Sequence, residues 1–133
     1  MTISTHPTQT DSLLRLAMRA DAILTGIMGI VGLPLAGWLA EVAGTTVGFE
    51  TAMSAFFIAY GVAVLGLSML PSVKVPGMVV IIGNFAFTLG AVALVLWGPF
   101  ALTTLGVVFV LASGVYTLAF AELQYQGWRR IRA

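Results

Sequence analysis

The chain has 133 residues, of which 59 % are hydrophobic and 8 % charged, whereas soluble domains carry about 25 % charged residues. This composition excludes an ordinary soluble domain. The net charge of +1 is uninformative as a total, and no nucleic-acid partner is expected. With no cysteine and a single histidine, His6, disulfides and thiolate or histidine metal sites are excluded, and no cofactor is predicted.

Four apolar runs follow one another along the chain, and each is long enough to cross a bilayer as a helix. About 20 helical residues span the ~30 Å apolar core of a membrane. The predicted spans cover residues 16–40, 51–70, 75–97 and 101–123. We therefore predict an all-α fold: an integral membrane bundle of four antiparallel transmembrane helices, contained in residues 12–126.

The two ends of the chain are predicted to be cytoplasmic tails. Residues 1–11 are polar and are expected to be disordered, with Asp11 or Ser12 as the N-cap of the first helix. Residues 127–133 form a basic tail. The first apolar run is longer than the roughly 7–15 residues of a signal-peptide core, so we expect a retained helix.

Proline and short connections shape the predicted bundle. Pro34 lies inside the first span, where it removes a backbone donor and frees the carbonyl of Ile30, so we predict a kink. All connections between the runs are short, which makes neighbouring helices antiparallel.

The distribution of charge predicts the orientation. In short loops, basic residues stay on the cytoplasmic side. Four crossings bring all six basic residues to one side, namely Arg15, Arg19, Lys74, Arg129, Arg130 and Arg132. Glu41 and Glu50 fall on the other side. Both termini are therefore expected in the cytoplasm.

Each run carries a stripe of small residues at helical spacing, which predicts close helix packing, because small side chains let backbones approach in lipid. In the first two runs the stripes are Asp21, Thr25, Gly29, Gly32 and Ala36, and Ala52, Ala55, Ala59, Ala63 and Gly66. In the last two they are Gly83, Ala86, Gly90 and Ala93, and Thr103, Gly106, Ser113, Thr117 and Ala121. A homo-oligomer contact is the alternative interpretation of any such stripe.

Several polar residues fall in the predicted cytoplasmic half of the membrane, where a buried charge costs at least ~2.5–3.5 kcal/mol at the helix centre. They define a candidate polar pocket open to the cytoplasm, made of Asp21, Thr25, Asn84, Thr88, Glu122 and Arg19. The alternative is an interfacial ion pair together with an interhelical hydrogen bond from Asn84. Tyr60, near the middle of the second run, is expected to hydrogen-bond a neighbouring helix.

A set of short motifs covers most of the chain. They are Arg15-x-x-x-Arg19-x-Asp21-Ala22, Asn84, Leu102-Thr103-x-x-Gly106 and Phe120-Ala121-x-Leu123-Gln124-x-x-Gly127-x-Arg129-Arg130. With these motifs the chain resembles a group of small four-span membrane proteins common in actinobacteria. That group has no assigned activity, so the resemblance implies a topology and a bacterial plasma membrane but no mechanism. The tryptophan or other bulky aromatic that usually follows the asparagine in that group is here the segment Phe85-Ala86-Phe87, which is a departure from the pattern.

Three functions remain open at this point. We expect a non-enzymatic structural or accessory protein that contacts lipids, itself or other membrane proteins. The alternative is a transporter or binding protein for a small solute or lipid, with the candidate polar pocket as its site. The third is an intramembrane enzyme, which would need a paired general acid and base. The sequence provides only one such pair of carboxyl groups, Asp21 and Glu122.

Overall fold

The computed structural model of the chain describes residues 8–131, which form five helices and no strand. The helices are α1 (Thr8–Gly32), α2 (Ala36–Ala43), α3 (Val47–Leu67), α4 (Lys74–Trp97) and α5 (Thr104–Arg129). The predicted all-α class is therefore confirmed. The disorder expected for residues 1–7, and the end of the basic tail at 132–133, lie outside the described residues.

Both predicted tails are partly helical. Helix α1 begins at Thr8, ahead of the predicted cap, and α5 continues to Arg129. Asp11 lies in the first turn of α1, where a carboxylate stabilises a helix N-terminus. It also forms an ion pair with Arg15 one turn later, at 3.0 Å. These two interactions account for the additional turn.

The first apolar run is broken rather than continuous. Helices α1 and α2 meet at 90° across residues 33–35. Pro34 lies at this break and has no backbone N–H to continue the α1 ladder. The chain turns there through hydrogen bonds from Leu35 N to Gly32 O (3.2 Å) and from Ala36 N to Leu33 O (3.3 Å). The kink expected at Pro34 is confirmed, and the single span expected over 16–40 is corrected to a bent pair.

Helices α3, α4 and α5 are each long and apolar enough to cross a membrane, and the bent pair makes a fourth span if counted as one.

The long helices lie side by side in the order α3, α1, α5, α4. Helix α1 packs against α3 and α5, and α5 packs against α4, whereas α3 and α4 barely touch. Helix α2 crosses the ends of α3 and α5. The four long helices therefore form an arc. Its three neighbouring pairs are packed together, and its two end helices, α3 and α4, leave a gap between them.

Glycine determines how closely α1 and α3 approach. A Cβ atom on Gly61 would lie 2.6 Å from the carbonyl oxygen of Ala22, and one on Gly29 would lie 2.5 Å from that of Ser54. Backbone therefore meets backbone at these positions, which only glycine permits. The seam between α1 and α3 therefore has no room for a side chain at Gly29 or Gly61.

The small-residue stripes divide into two classes. The stripe of the first run is buried along its whole length, as is most of the stripe on α5. The stripes on α3 (Ala52, Ala55, Ala59, Ala63, Gly66) and on α4 (Gly83, Ala86, Gly90, Ala93) are exposed. The expectation that every stripe packs inside the bundle is therefore wrong for α3 and α4, which bury other faces.

The two ends of the arc differ in charge. The basic end contains the start of α1, the α3–α4 connection and the end of α5. Among the described residues it carries every lysine and arginine: Arg15, Arg19, Lys74, Arg129 and Arg130. The α2 end contains α2, the start of α3 and the start of α5, with Glu41 and Glu50 as its charged residues.

At the basic end, arginines cap α3. Arg15 donates from its guanidinium to the carbonyl oxygens of Ser68 (2.9 Å), Leu70 (2.6 Å) and Pro71 (2.8 Å). Arg19 donates to the hydroxyl of Ser68 at 3.3 Å. These positive groups satisfy carbonyls that have no partner in the helix and complement its C-terminal dipole.

At the α2 end, two connections are tied together. Gly44 adopts φ +78° to end α2, and a Cβ there would meet the carbonyl oxygen of Ala101 at 2.6 Å. Thr103, which caps α5, donates from its backbone N–H to Ala43 O at 3.1 Å and from its hydroxyl to Val42 O at 2.6 Å. Helix α2 is thus anchored to the start of α5.

Candidate functional site

The side chain of Asp21 lies at the centre of the four long helices and is fully buried, with 0 % exposure. Each long helix supplies one donor to its carboxylate. Thr25 donates to Oδ1 at 2.9 Å. Oδ2 accepts from the Tyr60 hydroxyl at 2.7 Å, from Asn84 Nδ2 at 2.8 Å and from Gln124 Nε2 at 3.0 Å.

The amides of this cluster also bond each other. Asn84 Nδ2 donates its second proton to Gln124 Oε1 at 2.9 Å, and Asn84 Oδ1 lies 3.2 Å from the Tyr60 hydroxyl. No cation among the described residues pairs with Asp21, so hydrogen bonds alone compensate its burial. We call Asp21, Thr25, Tyr60, Asn84 and Gln124 the Asp21 network.

Hydroxyl groups extend the network along the bundle. The Tyr116 hydroxyl lies 2.9 Å from that of Thr25. Because Thr25 has one proton and gives it to Asp21, Tyr116 is the donor of this pair. One turn further along α4, Thr88 bonds the hydroxyl of Thr117 at 2.7 Å and the carbonyl of Gly114 at 2.9 Å. Thr88 therefore joins α4 to α5 and does not reach Asp21.

The structure brings together Asp21, Thr25 and Asn84, as the sequence suggested, and does not place Arg19 or Glu122 with them. Arg19 is exposed and bonds Ser68. Glu122 is exposed and accepts from Gln126 one turn later on α5, at 2.8 Å. The pair of Asp21 and Glu122 considered for acid–base chemistry is thus split between the interior and the surface.

Gln124 is the member of the network that sequence reasoning missed. It is fully buried and lies two residues after Glu122, on the opposite face of α5. Its position was signalled by helical spacing, because Gln124 follows Thr117 by seven residues and Ala121 by three, on the same stripe of small residues. Tyr60, expected to bond a neighbouring helix, does so on α1 and α4.

A cavity of about 500 Å³ opens between α3 and α4 and ends at the Asp21 network. Its lining includes six aromatic rings, those of Phe56, Phe57, Tyr60, Phe87, Phe109 and Tyr116. The rings of Phe57 and Phe87 face each other across the gap, with centroids 6.0 Å apart. Large rings on the facing surfaces hold α3 and α4 apart, in contrast to the glycines of the α1–α3 seam.

A second cavity of about 350 Å³ continues the first towards the α2 end. The two share Glu50, Phe57, Phe87, Phe109 and Ser113, so we treat them as one α3–α4 groove. Glu50 lies in the first turn of α3, and one of its oxygens, Oε2, accepts from the Thr45 hydroxyl. It is the only charged side chain among the described residues that line either cavity.

The groove extends from the Asp21 network towards the α2 end, whereas the predicted pocket was expected to open at the basic end. At the basic end, below the Asp21 network, Leu14, Met18 and Val73 are at most 1 % exposed and fill the space between the helices. Gly127 lets α5 approach there so closely that a Cβ would lie 2.6 Å from Leu14 N. The expectation of a pocket open at the basic end is corrected, because apolar packing closes that end.

The known proteins provide no further guide to this site: no family model, no curated protein and no solved structure matches the chain. The described residues also contain no group of three histidine, cysteine, aspartate or glutamate side chains placed to hold a metal ion. The site is therefore interpreted from its geometry.

Proposed function

We propose that the chain is a multi-pass protein of a bacterial plasma membrane that crosses it through α1, α3, α4 and α5, with both termini in the cytoplasm. Support comes from the charge difference between the basic end and the α2 end, which follows the positive-inside rule. In α1, residues 16–32 cover about 26 Å at 1.5 Å per residue, close to the apolar thickness of a membrane. Helix α2, bent by 90° from α1, then lies along the outer surface.

Reporter fusions test this topology. A reporter fused after residue 47 is expected to be active outside the cell, and one fused to the C-terminus inside it. A C-terminal reporter that is active outside would overturn the proposed orientation.

We further infer that this protein is non-enzymatic and binds a small, largely apolar molecule in the α3–α4 groove. The observation that carries this proposal is the cavity of about 500 Å³, lined by aromatic rings and ending at a cluster of polar groups. Binding sites for small molecules generally combine an apolar lining of this size with a few converging polar groups. A packed bundle centre would have left no such space.

The Asp21 network supports binding rather than chemistry. Its carboxylate is surrounded by donors and is fully buried, so no substrate atom can approach it. Its physical effect is to fix the hydroxyls of Tyr60 and, through Thr25, of Tyr116 at the end of the groove. A preorganised polar end of this kind orients an amphipathic ligand.

Photolabelling tests the binding proposal. The probe is a neutral twelve-carbon alcohol that carries a diazirine, added to the protein in phosphatidylcholine nanodiscs. We expect saturable labelling of α3 and α4 around Phe57 and Phe87, with competition by unlabelled dodecanol. Labelling spread evenly over exposed helix faces, without competition, would contradict the proposal.

A groove-filling variant provides the specificity control. Gly83 lines the groove, and a Cβ there would meet nothing within 4 Å. Gly83→Phe is therefore expected to lower saturable labelling at least about fivefold, equivalent to ~1 kcal/mol of binding. Gly66 has equally open space but lies on the exposed stripe of α3, outside the groove. Gly66→Phe should leave labelling unchanged.

A second candidate is the structural or accessory role, in which the protein packs against itself or other membrane proteins. The observation that favours it is the exposed stripe on α3, from Ala52 to Gly66. The chain has no cysteine, so Ala59→Cys can be oxidised in membranes, with Val79→Cys, 60 % exposed on α4, as the control. A disulfide-linked dimer specific to Ala59→Cys supports this role, and equal crosslinking at both sites contradicts it.

A further inference from the structure

We propose that the occupant of the α3–α4 groove is a lipophilic cation, an apolar body with a positively charged, hydrogen-bond-donating nitrogen, and that Glu50 is its counter-ion. This inference rests on the proposed binding function and adds the chemical class of the ligand. Three properties of the groove support it: the direction of its hydrogen bonds, the free oxygen of Glu50, and its lining of aromatic rings without any basic residue.

The polar groups of the groove are acceptors. Each side-chain hydroxyl or amide lining it already donates its protons within the protein; these side chains are Thr25, Thr45, Tyr60, Asn84, Ser113, Tyr116 and Thr117. Tyr60 and Tyr116 therefore present only oxygen lone pairs to the groove. An acceptor-only ligand such as a carboxylate or phosphate would find no donor, whereas an ammonium group carries its own.

Glu50 supplies a negative charge at the point where the two cavities meet. Its Oε2 atom accepts from Thr45, while Oε1 has no hydrogen-bond or ionic partner among residues 8–131. An open carboxylate oxygen in an apolar groove is a site for a charge-assisted hydrogen bond from a cation.

The rest of the lining also favours a positively charged ligand. Phe57, Phe87 and Phe109 line both cavities with Glu50, and the negative faces of aromatic rings attract cations. All lysines and arginines of the described chain are at the basic end, so none neutralises the groove. Negative charge, ring faces and oxygen lone pairs thus all line one apolar groove, which contains no positive charge.

Three probes with the same twelve-carbon chain test the assignment: dodecylammonium, dodecanol and dodecanoate. Each competes with the neutral photolabel in phosphatidylcholine nanodiscs, and the results are compared at equal concentrations in the membrane. We expect dodecylammonium to compete about tenfold better than dodecanol, and dodecanoate to be the weakest of the three. This ranking needs no variant, so it holds even if a substitution impairs folding.

Glu50→Gln tests whether the charge of Glu50 causes the preference for dodecylammonium. Glutamine removes the charge but keeps the size of the side chain and an acceptor for Thr45. The variant is expected to lose the tenfold preference for dodecylammonium over dodecanol. Glu41→Gln is the matched control, because Glu41 is an exposed carboxylate at the same end that does not line the groove. This control should keep the full preference.

The outcomes separate the two proposals. If dodecanol competes but dodecylammonium is no better, or if Glu41→Gln removes the preference as Glu50→Gln does, the cation assignment is overturned and the binding function stands. If no probe competes for saturable labelling, the binding function itself fails.

Discussion

Helix α3 contacts α1 along one face and borders α4 along another, and the two interfaces differ in almost every respect. Towards α1, Gly29 and Gly61 bring backbone against backbone with no room for a side chain. Towards α4, Phe57 and Phe87 hold the helices apart around the groove. In lipid, burial of apolar surface does not distinguish these interfaces, so the size of the facing side chains decides which one closes.

A bulky residue in the seam provides the strongest test of this comparison. Gly61→Leu would drive a side chain into the carbonyl of Ala22, and overpacking against backbone costs about 3 kcal/mol or more. Gly66→Leu, on the exposed face of the same helix, is expected to change stability by less than ~1 kcal/mol. Thermal unfolding in detergent, followed by fluorescence-detected size-exclusion chromatography, measures both. Equal losses would show that the seam is not tighter than the surface.

The polar end of the groove should be the next most sensitive place. Asp21→Asn removes an acceptor from a site where three other side chains donate, and a buried unsatisfied donor costs ~1–3 kcal/mol. Glu122→Gln changes an exposed carboxylate on α5 and is expected to stay within about 0.5 kcal/mol. The same unfolding assay compares the two. If Asp21→Asn is as mild as Glu122→Gln, the network does not hold the four helices together.

The groove itself should tolerate added volume. Gly83→Phe enters open space, so stability is expected to change by less than about 1 kcal/mol, although probe binding falls. Thermal unfolding of this variant alongside Gly61→Leu places the two interfaces on one scale. A loss as large as that of Gly61→Leu would mean that α3 and α4 are in contact in the membrane.

The smallest effect is expected at the break between α1 and α2. Hydrogen bonds from Thr103 to Val42 and Ala43 anchor α2 independently of the proline. Pro34→Ala should therefore keep the 90° bend and alter stability by about 0.5 kcal/mol or less. Distances between spin labels on Leu24 and Trp38, both exposed, measure the bend. A straightened helix would show that Pro34 alone maintains the break.

Hydropathy and proline placement predicted the all-α class, three of the membrane-spanning candidates and a kink at Pro34, because these depend on local chemistry. They did not predict that the first run divides there into two helices. The convergence of Asp21, Thr25 and Asn84 also followed from their common depth along the helices. The residue of α5 that bonds Asp21 was not predicted. The sequence drew attention to the charge of Glu122, whereas the helical register of α5 turns Gln124 inward.

The groove could not be predicted from the sequence for a different reason. Four antiparallel helices of similar hydropathy can be arranged in several orders, and nothing local says which pair stays apart. The stripes on α3 and α4 indicated surfaces capable of close approach but not their partners. Both stripes are exposed, and two glycines of the α4 stripe, Gly83 and Gly90, line the groove. The phenylalanines that line the groove were not distinguishable from ordinary lipid-facing residues until both helices were placed.

The donors around Asp21 have a consequence for how the protein is made. Synthesis delivers them in chain order: Thr25 with α1, then Tyr60, Asn84 and finally Gln124, one for each long helix. The carboxylate enters the membrane with one partner, at a cost of ~2.5–3.5 kcal/mol for a charge at mid-helix, and each later helix lowers that cost. A chain interrupted before α5 keeps an incompletely bonded carboxylate in its interior, so the last helix to be translated completes the fold of the first.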